Sequence, residues 1–271
     1  MNTQKMFDIA LKVAGLDKPT EDAAVIVPGE NIKKVLVGID MNTQELVLAK
    51  MLGFDCVVGH HPRNVEKNMT NVFRNQMYTM HKAGIPLNEA QKLIEKEAAK
   101  MDEARHAFNF NRNASAAEIL QMPFICIHTP ADLIVESSLQ KICDERFGNN
   151  PKTKLGDVMK IFDDIPEFQK AIYPPKIDVG GPDSYAGRIM VIMAGLSEPG
   201  PDVFKAYARA GVGTFVFMHC SEDSLKAIRE QGIANVITAG HMASDSYGMN
   251  RILDAWEKEG LEITPMSGLL R

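Results

Sequence analysis

The stretch Asp55-Cys56-Val57-Val58-Gly59-His60-His61-Pro62 decides how the rest of the chain is read. Val57 and Val58 continue an apolar, β-branched run, and Pro62 lacks the N–H that a ladder needs, so a buried strand ends at the two histidines. Along a regular strand, neighbouring side chains point to opposite faces. Where the strand ends the backbone is free to turn, and both imidazoles can then reach one point. In an open parallel sheet, the crevice beyond the carboxyl ends of the strands is where ligands bind. A His-His pair alone is weak ground for a metal site, so the other strand ends must be read with it.

Working back from this stretch, Lys33-Lys34-Val35-Leu36-Val37-Gly38-Ile39-Asp40 reads as a second buried strand with an acidic residue at its carboxyl end. Thr43 to Leu52 between them reads as a helix, with Leu46, Val47, Ala49 and Leu52 inward and Gly53 as its stop. Strand, helix, strand at this spacing is a βαβ unit, and its crossover implies parallel strands. Asp40 and His60-His61 then share one sheet edge. Residues 3–15 show helical spacing up to Gly15.

Working forward, 66–82 and 88–107 read as helices. The second mixes Glu, Lys and Arg with Ala and Leu, which suits a solvated helix carrying i,i+4 pairs. Glu103 and His106 have the i,i+3 spacing of a bundle metal site, but no second such pair accompanies them, and they are read as surface residues. A third apolar run, Pro123 to Ile127, leads into His128-Thr129-Pro130-Ala131-Asp132, and Ser137 to Phe147 reads as the next helix. The Gly, Asn and Pro of 148–156 suit a domain junction. The second half repeats the alternation. Strands are expected at 187–195, 214–219 and 235–240, with helices from Asp202, over 221–231 and from His241 to about Glu259, and a loop at 196–201. The expected class is therefore α/β, with two layered α/β lobes and mainly parallel sheets. The first lobe would span 1–147, with a helical insertion near 88–121, and the second 148–271, its C-terminal part returning to the site.

Composition limits the function classes. The 271 residues, 45% of them hydrophobic, suffice for one large domain or two ordinary ones. A net charge of −5 gives no electrostatic footprint for nucleic acid. The four cysteines form no CxxC, and three lie in or beside apolar runs, so buried free thiols are expected. Met1 to Val13 lacks the apolar core and cleavage site of a signal peptide, and no apolar run reaches membrane-spanning length. A cytoplasmic protein without a membrane role is expected.

Four strand ends carry metal-binding side chains: Asp40, His60-His61, His128 with Asp132, and His241 with Asp245. Each has an ordinary explanation on its own. Asp132 could cap a helix, Asp245 could favour a helix N-terminus, and His128 could be a satisfied core histidine. Their joint occurrence at strand ends points to a metal site, and a mixed His/Asp set suits several divalent ions.

His60-His61-Pro62, His128-Thr129-Pro130-Ala131-Asp132 and Gly240-His241-x-x-x-Asp245, in this order, resemble the Nif-three-like dinuclear-metal proteins, also called the GTP cyclohydrolase 1 type 2 family. Lys34 to Asp40 resembles that family's opening strand. The similarity covers most of the chain apart from the middle helical region. It implies two divalent ions (zinc, iron, manganese or nickel) in the cleft between two α/β lobes, in a ring-shaped homohexamer. The family's ligands fall on His60, His61, Asp132, His241 and Asp245, with the two aspartates as candidates to bridge or anchor. His128 and Asp40 are carried as catalytic candidates, a proton carrier or a group orienting the ligands. The chain departs from the family at Asp245, where Glu is usual, at Arg63, where an apolar residue is usual, and at Phe217-Met218-His219-Cys220, where Thr-Gly-Glu is usual. The resemblance implies a metal-dependent hydrolase of a small molecule, of cyclohydrolase type. The alternative is a non-enzymatic protein that stores, delivers or regulates through metal.

Overall fold

The computed structural model describes residues 1–62, 69–148, 150–195 and 199–271. Among these, the strands in chain order are β1 (Ala23–Val27), β2 (Lys34–Gly38), β3 (Cys56–Gly59), β4 (Phe124–Ile127), β5 (Lys176–Val179), β6 (Arg188–Ile192), β7 (Val212–Phe217), β8 (Asn235–Thr238) and β9 (Glu262–Met266). Packing groups the chain into two units: Met1–Met69 with Ala107–Ile134 and Asp245–Arg271, and Thr70–His106 with Val135–Ser244. This grouping is interleaved, whereas the junction read at 148–156 is a single cut. The segment from Asp245 onward packs with the N-terminal unit.

The first unit holds a five-stranded sheet in the order β1-β4-β3-β2-β9, parallel except where β1 meets β4. Val35, Val37, Val57 and Val58 are wholly buried, as the inner strands of a sheet covered on both faces must be. Helix Thr43–Leu52 and helix Arg112–Leu120 close one face, setting Leu46, Ala49 and Ala117 against Leu36, Val57 and Phe124. The inward stripe of Thr43–Leu52 is narrower than expected: Val47 is 39% exposed and Leu52 64%. Trp256, fully buried, donates its indole N–H to the Met6 carbonyl at 2.9 Å and ties the last long helix to the first.

β1, β5 and β9 were not expected from the sequence. β9 carries Glu262, Thr264 and Pro265, a pattern too polar to read as a strand, and it lies at the sheet edge, where proline is tolerated.

The second unit holds a four-stranded sheet in the order β5-β8-β7-β6, parallel except where β5 meets β8. This repeats the order β1-β4-β3-β2 strand for strand, a likeness the residues themselves do not show. Helix Leu87–Arg105 is more than a solvated helix. Ala90, Ile94 and Ala98 form a stripe buried in this unit's core with Phe204, Phe215 and Phe217. Four of its charged residues pair with other elements rather than along the helix, as in Lys96 to Asp202 at 2.7 Å and Arg74 to Glu95 at 3.0 Å. The free edge of β6 is covered by side chains: Val191 N–H donates to Gln140 Oε1, and the Met193 and Ala194 N–H groups donate to Glu136 Oε2.

The helix expected over 66–82 is two short helices, Met69–Arg74 and Gln76–Lys82. Its first residues, Arg63, and 196–198 of the expected loop lie outside the described residues. The cysteines are free, with Cys56, Cys126 and Cys143 buried. Among the described residues no helix is long and apolar enough to cross a membrane.

Candidate metal centre

The ladder between β2 and β3 continues past the strands. His60 N–H donates to the Gly38 carbonyl at 3.0 Å, and His61 N–H to the Ile39 carbonyl at 2.9 Å. The backbone therefore holds both histidines, and Asp40 after Ile39, at the carboxyl edge of the sheet. The two rings lie 4.9 Å apart and are tilted by 43°, as a strand end that turns allows.

β4 feeds a helix directly. Helix His128–Phe147 begins at His128, not near Ser137 as the sequence suggested. Asp132 is thus inside the helix rather than its cap, on the same face as His128 at i,i+4. His128 Nε2 stands 3.6 Å from Asp132 Oδ2. Asp245 lies on helix His241–Lys258, one turn from its start, and is wholly buried.

These side chains converge within the first unit. His60 Nε2 lies 3.3 Å from Asp132 Oδ1 and 3.4 Å from Asp245 Oδ1. His61 Nε2 lies 3.4 Å from Asp245 Oδ2. Donor atoms of His60, Asp132 and Asp245 fall within 4.8 Å of one another, as do those of His60, His61 and His128. Donors bound tetrahedrally at ~2.0–2.1 Å to one ion stand about 3.3–3.4 Å from each other. Both ring nitrogens of His60 and Oδ1 of Asp132 are buried without a hydrogen-bond partner among the described residues. Buried charges are ordinarily paired or bound to metal. Contacts at ligand-to-ligand spacing that are not hydrogen bonds fit a shared cation better than a plain ion pair.

Outer carboxylates orient two of the imidazoles. Asp40 Oδ1 lies 2.9 Å from His61 Nδ1. Asp22 Oδ2 lies 2.6 Å from His128 Nδ1 and accepts the Thr129 hydroxyl at 2.7 Å. Burial works against the Asp22 charge, yet the hydrogen bond and charge of His128, with the Thr129 hydroxyl, hold the carboxyl down at about 2. For His128, burial is outweighed by the Asp132 charge and the Asp22 hydrogen bond, and its pKa is raised.

Burial likewise opposes a charge on His60, but the carboxylates of Asp245 and Asp132 push it up to about 10. Its folded value exceeds the ordinary 6.5, so the stability it gives the metal-free protein is complete below about pH 6.5 and lost as the pH rises through about 10. The metal-free protein is expected to melt at lower temperature at pH 10 than at pH 6.5, and His60→Gln to flatten that difference. An equally steep melting profile in the variant would contradict this source. An ion must displace the His60 proton, so metal affinity is expected to fall as the pH falls.

Two contributors carried no usable sequence signal. Asp22 looks like any charged residue before an edge strand. Only the antiparallel register, with Ala23 opposite Ile127, puts it beside His128. Gly248 sits mid-helix, where a Cβ would stand 2.1 Å from the Ala131 carbonyl oxygen. That approach of helix His241–Lys258 to helix His128–Phe147 sets Asp245 near Asp132. His241, partly buried, belongs to the second unit, and its ring lies 4.9 Å from that of His219. Glu103 and His106 are exposed, as read.

The fold and this donor set define an α/β protein with a buried His/Asp cluster able to hold metal ions. The chain is 31% identical to a NIF3 superfamily protein from Sphaerobacter thermophilus, with 99% of each chain covered and a TM-score of 0.93. It belongs to the NIF3 superfamily, and the match takes in the middle helical region that the sequence reading set apart. HcgD from Methanocaldococcus jannaschii, in its reduced form, matches at 16% identity over 98% of this chain and 97% of that one, with a TM-score of 0.59. The protein ybgI matches at 16% over 98% of each chain, with a TM-score of 0.55. At that identity these two speak to the fold alone. The chain matches no family model and no curated protein.

Proposed function

We propose that this protein holds two divalent ions and uses them to hydrolyse a small molecule. The observation that carries the reading is Asp245. Its two oxygens each stand 3.4 Å from a different imidazole nitrogen, one from His60 and one from His61, as a carboxylate shared by two ions would. Asp132 takes a similar place between His60 and His128. Bound divalent ions supply Lewis acidity toward a water or a polarised substrate bond. His60 and His61 are the nitrogen ligands, and Asp132 and Asp245 bridge or anchor. Family resemblance adds His241, one turn before Asp245 on the same helix, as a third nitrogen ligand. Asp40 orients His61 through Nδ1. Complete burial of His60 and Asp245 favours ions kept through turnover over ions handed to an acceptor.

Family resemblance extends the proposal to cyclohydrolase chemistry and to a homohexamer, which light scattering reads directly. Elemental analysis of the purified protein is expected to give two divalent ions per chain, and the loaded protein to open or hydrolyse a member of a panel of nucleotides, GTP included, and cyclic amides. Rapid surrender of the ions to a weak chelator, with no turnover on the panel, would turn the reading toward metal delivery.

A further inference from the structure

We propose that His128 is a direct nitrogen ligand of the metal centre, and that Asp22 is the positioning residue that makes it one. This rests on the reading of the cluster as a metal centre, and it moves His128 from proton carrier to ligand. An imidazole whose Nδ1 faces a carboxylate keeps its proton there, which leaves the Nε2 lone pair for a cation. Asp22 Oδ2 holds His128 Nδ1 at 2.6 Å, and His128 Nε2 faces Asp132 at 3.6 Å. The donor nitrogen of His128 falls within 4.8 Å of those of His60 and His61.

The same construction occurs twice in the unit. Asp40, His61 and Asp245 form an outer carboxylate, an imidazole and an inner carboxylate, and Asp22, His128 and Asp132 form another. The two clamps differ in water access. The Asp40 side chain is 36% exposed, whereas that of Asp22 is 0% exposed and also accepts the Thr129 hydroxyl. In the drier setting the orienting bond is stronger and harder for water to replace. A proton carrier needs a path to solvent, and His128 is 7% exposed with its outer nitrogen already engaged. A fourth imidazole, beside His60, His61 and His241, also makes the donor set richer in nitrogen, which favours zinc, iron or nickel over magnesium or calcium.

The test uses the full chain, zinc as the probe, and competition against a chelator. Asp22→Ala is expected to weaken zinc binding by ~10–100-fold, the usual effect of losing such an outer partner. Asp22→Asn, which keeps the shape and an accepting oxygen, should lose less and serves if the alanine variant does not fold. His128→Ala should lose at least as much as Asp22→Ala, and adding Asp22→Ala to it should cost nothing more. A zinc-soaked wild-type crystal should show His128 Nε2 at about 2.0–2.1 Å from an ion. Unchanged affinity in both Asp22 variants, losses that add, or an ion out of bonding reach of His128 would each overturn this proposal alone. A wild-type chain that takes up no divalent ion would overturn the metal reading beneath it as well.

Discussion

Asp132→Asn combined with Asp245→Asn is expected to leave a folded protein without bound divalent ions. Each aspartate oxygen near the imidazoles is placed at ligand spacing, with Asp245 at 3.4 Å from both His60 and His61 and Asp132 at 3.3 Å from His60. An amide keeps the shape and removes the charge. Two unit charges 4 Å apart interact by ~4 kcal/mol at an effective dielectric near 20, so losing two carboxylates beside a divalent ion should weaken binding by more than about a thousandfold. The fold should survive, because the apolar core of this unit is built from Leu36, Leu46, Val57, Phe124 and their neighbours. Without its two counter-charges, His60 returns toward a neutral ring. Elemental analysis and thermal unfolding read the two halves of this expectation. Metal content equal to the wild type would show that the aspartates do not hold the ions.

Gly248→Ala should give the second large effect. Alanine in place of glycine inside a helix ordinarily gains about 1 kcal/mol. Here the added Cβ would sit 2.1 Å from the Ala131 oxygen and 2.7 Å from its carbonyl carbon. Both are backbone atoms, so no side chain can swing aside and the helices must separate. Overpacking of this kind costs ~1–3 kcal/mol or more. A net loss of ~2 kcal/mol lowers the melting temperature by roughly 4–8 °C for a chain of this size. Ala131 adjoins Asp132, and Gly248 follows Asp245 by three residues on the same helix. Separation should therefore also spread the two carboxylates and weaken zinc binding. Melting and affinity that both match the wild type would show that the approach has slack.

Much of the candidate site was legible because its pieces announce themselves locally. His60-His61-Pro62 closes an apolar run, and His128 and Asp132 have i,i+4 spacing, as have His241 and Asp245. The start of the helix at His128 was not legible, because Pro130 and the polar residues around it read as a loop. The contact of Leu87–Arg105 with a core was hidden for a related reason: a stripe of Ala90, Ile94 and Ala98 is too small to stand out among its charges. Edge strand β9 was masked by its polar composition, which an edge position permits.

By itself, the sequence determined the α/β class, the inner strands and the histidine and aspartate residues at their carboxyl ends. Those features come from side-chain periodicity and chain breaks within a few residues of each other. Tertiary structure alone decided that Asp22 clamps His128, that Gly248 lets two helices close on Asp132 and Asp245, and that the second sheet repeats the strand order of the first. Each of these depends on register or approach between segments far apart in the chain, where burial and hydrogen bonding over the whole unit choose the partner and no local pattern carries the information.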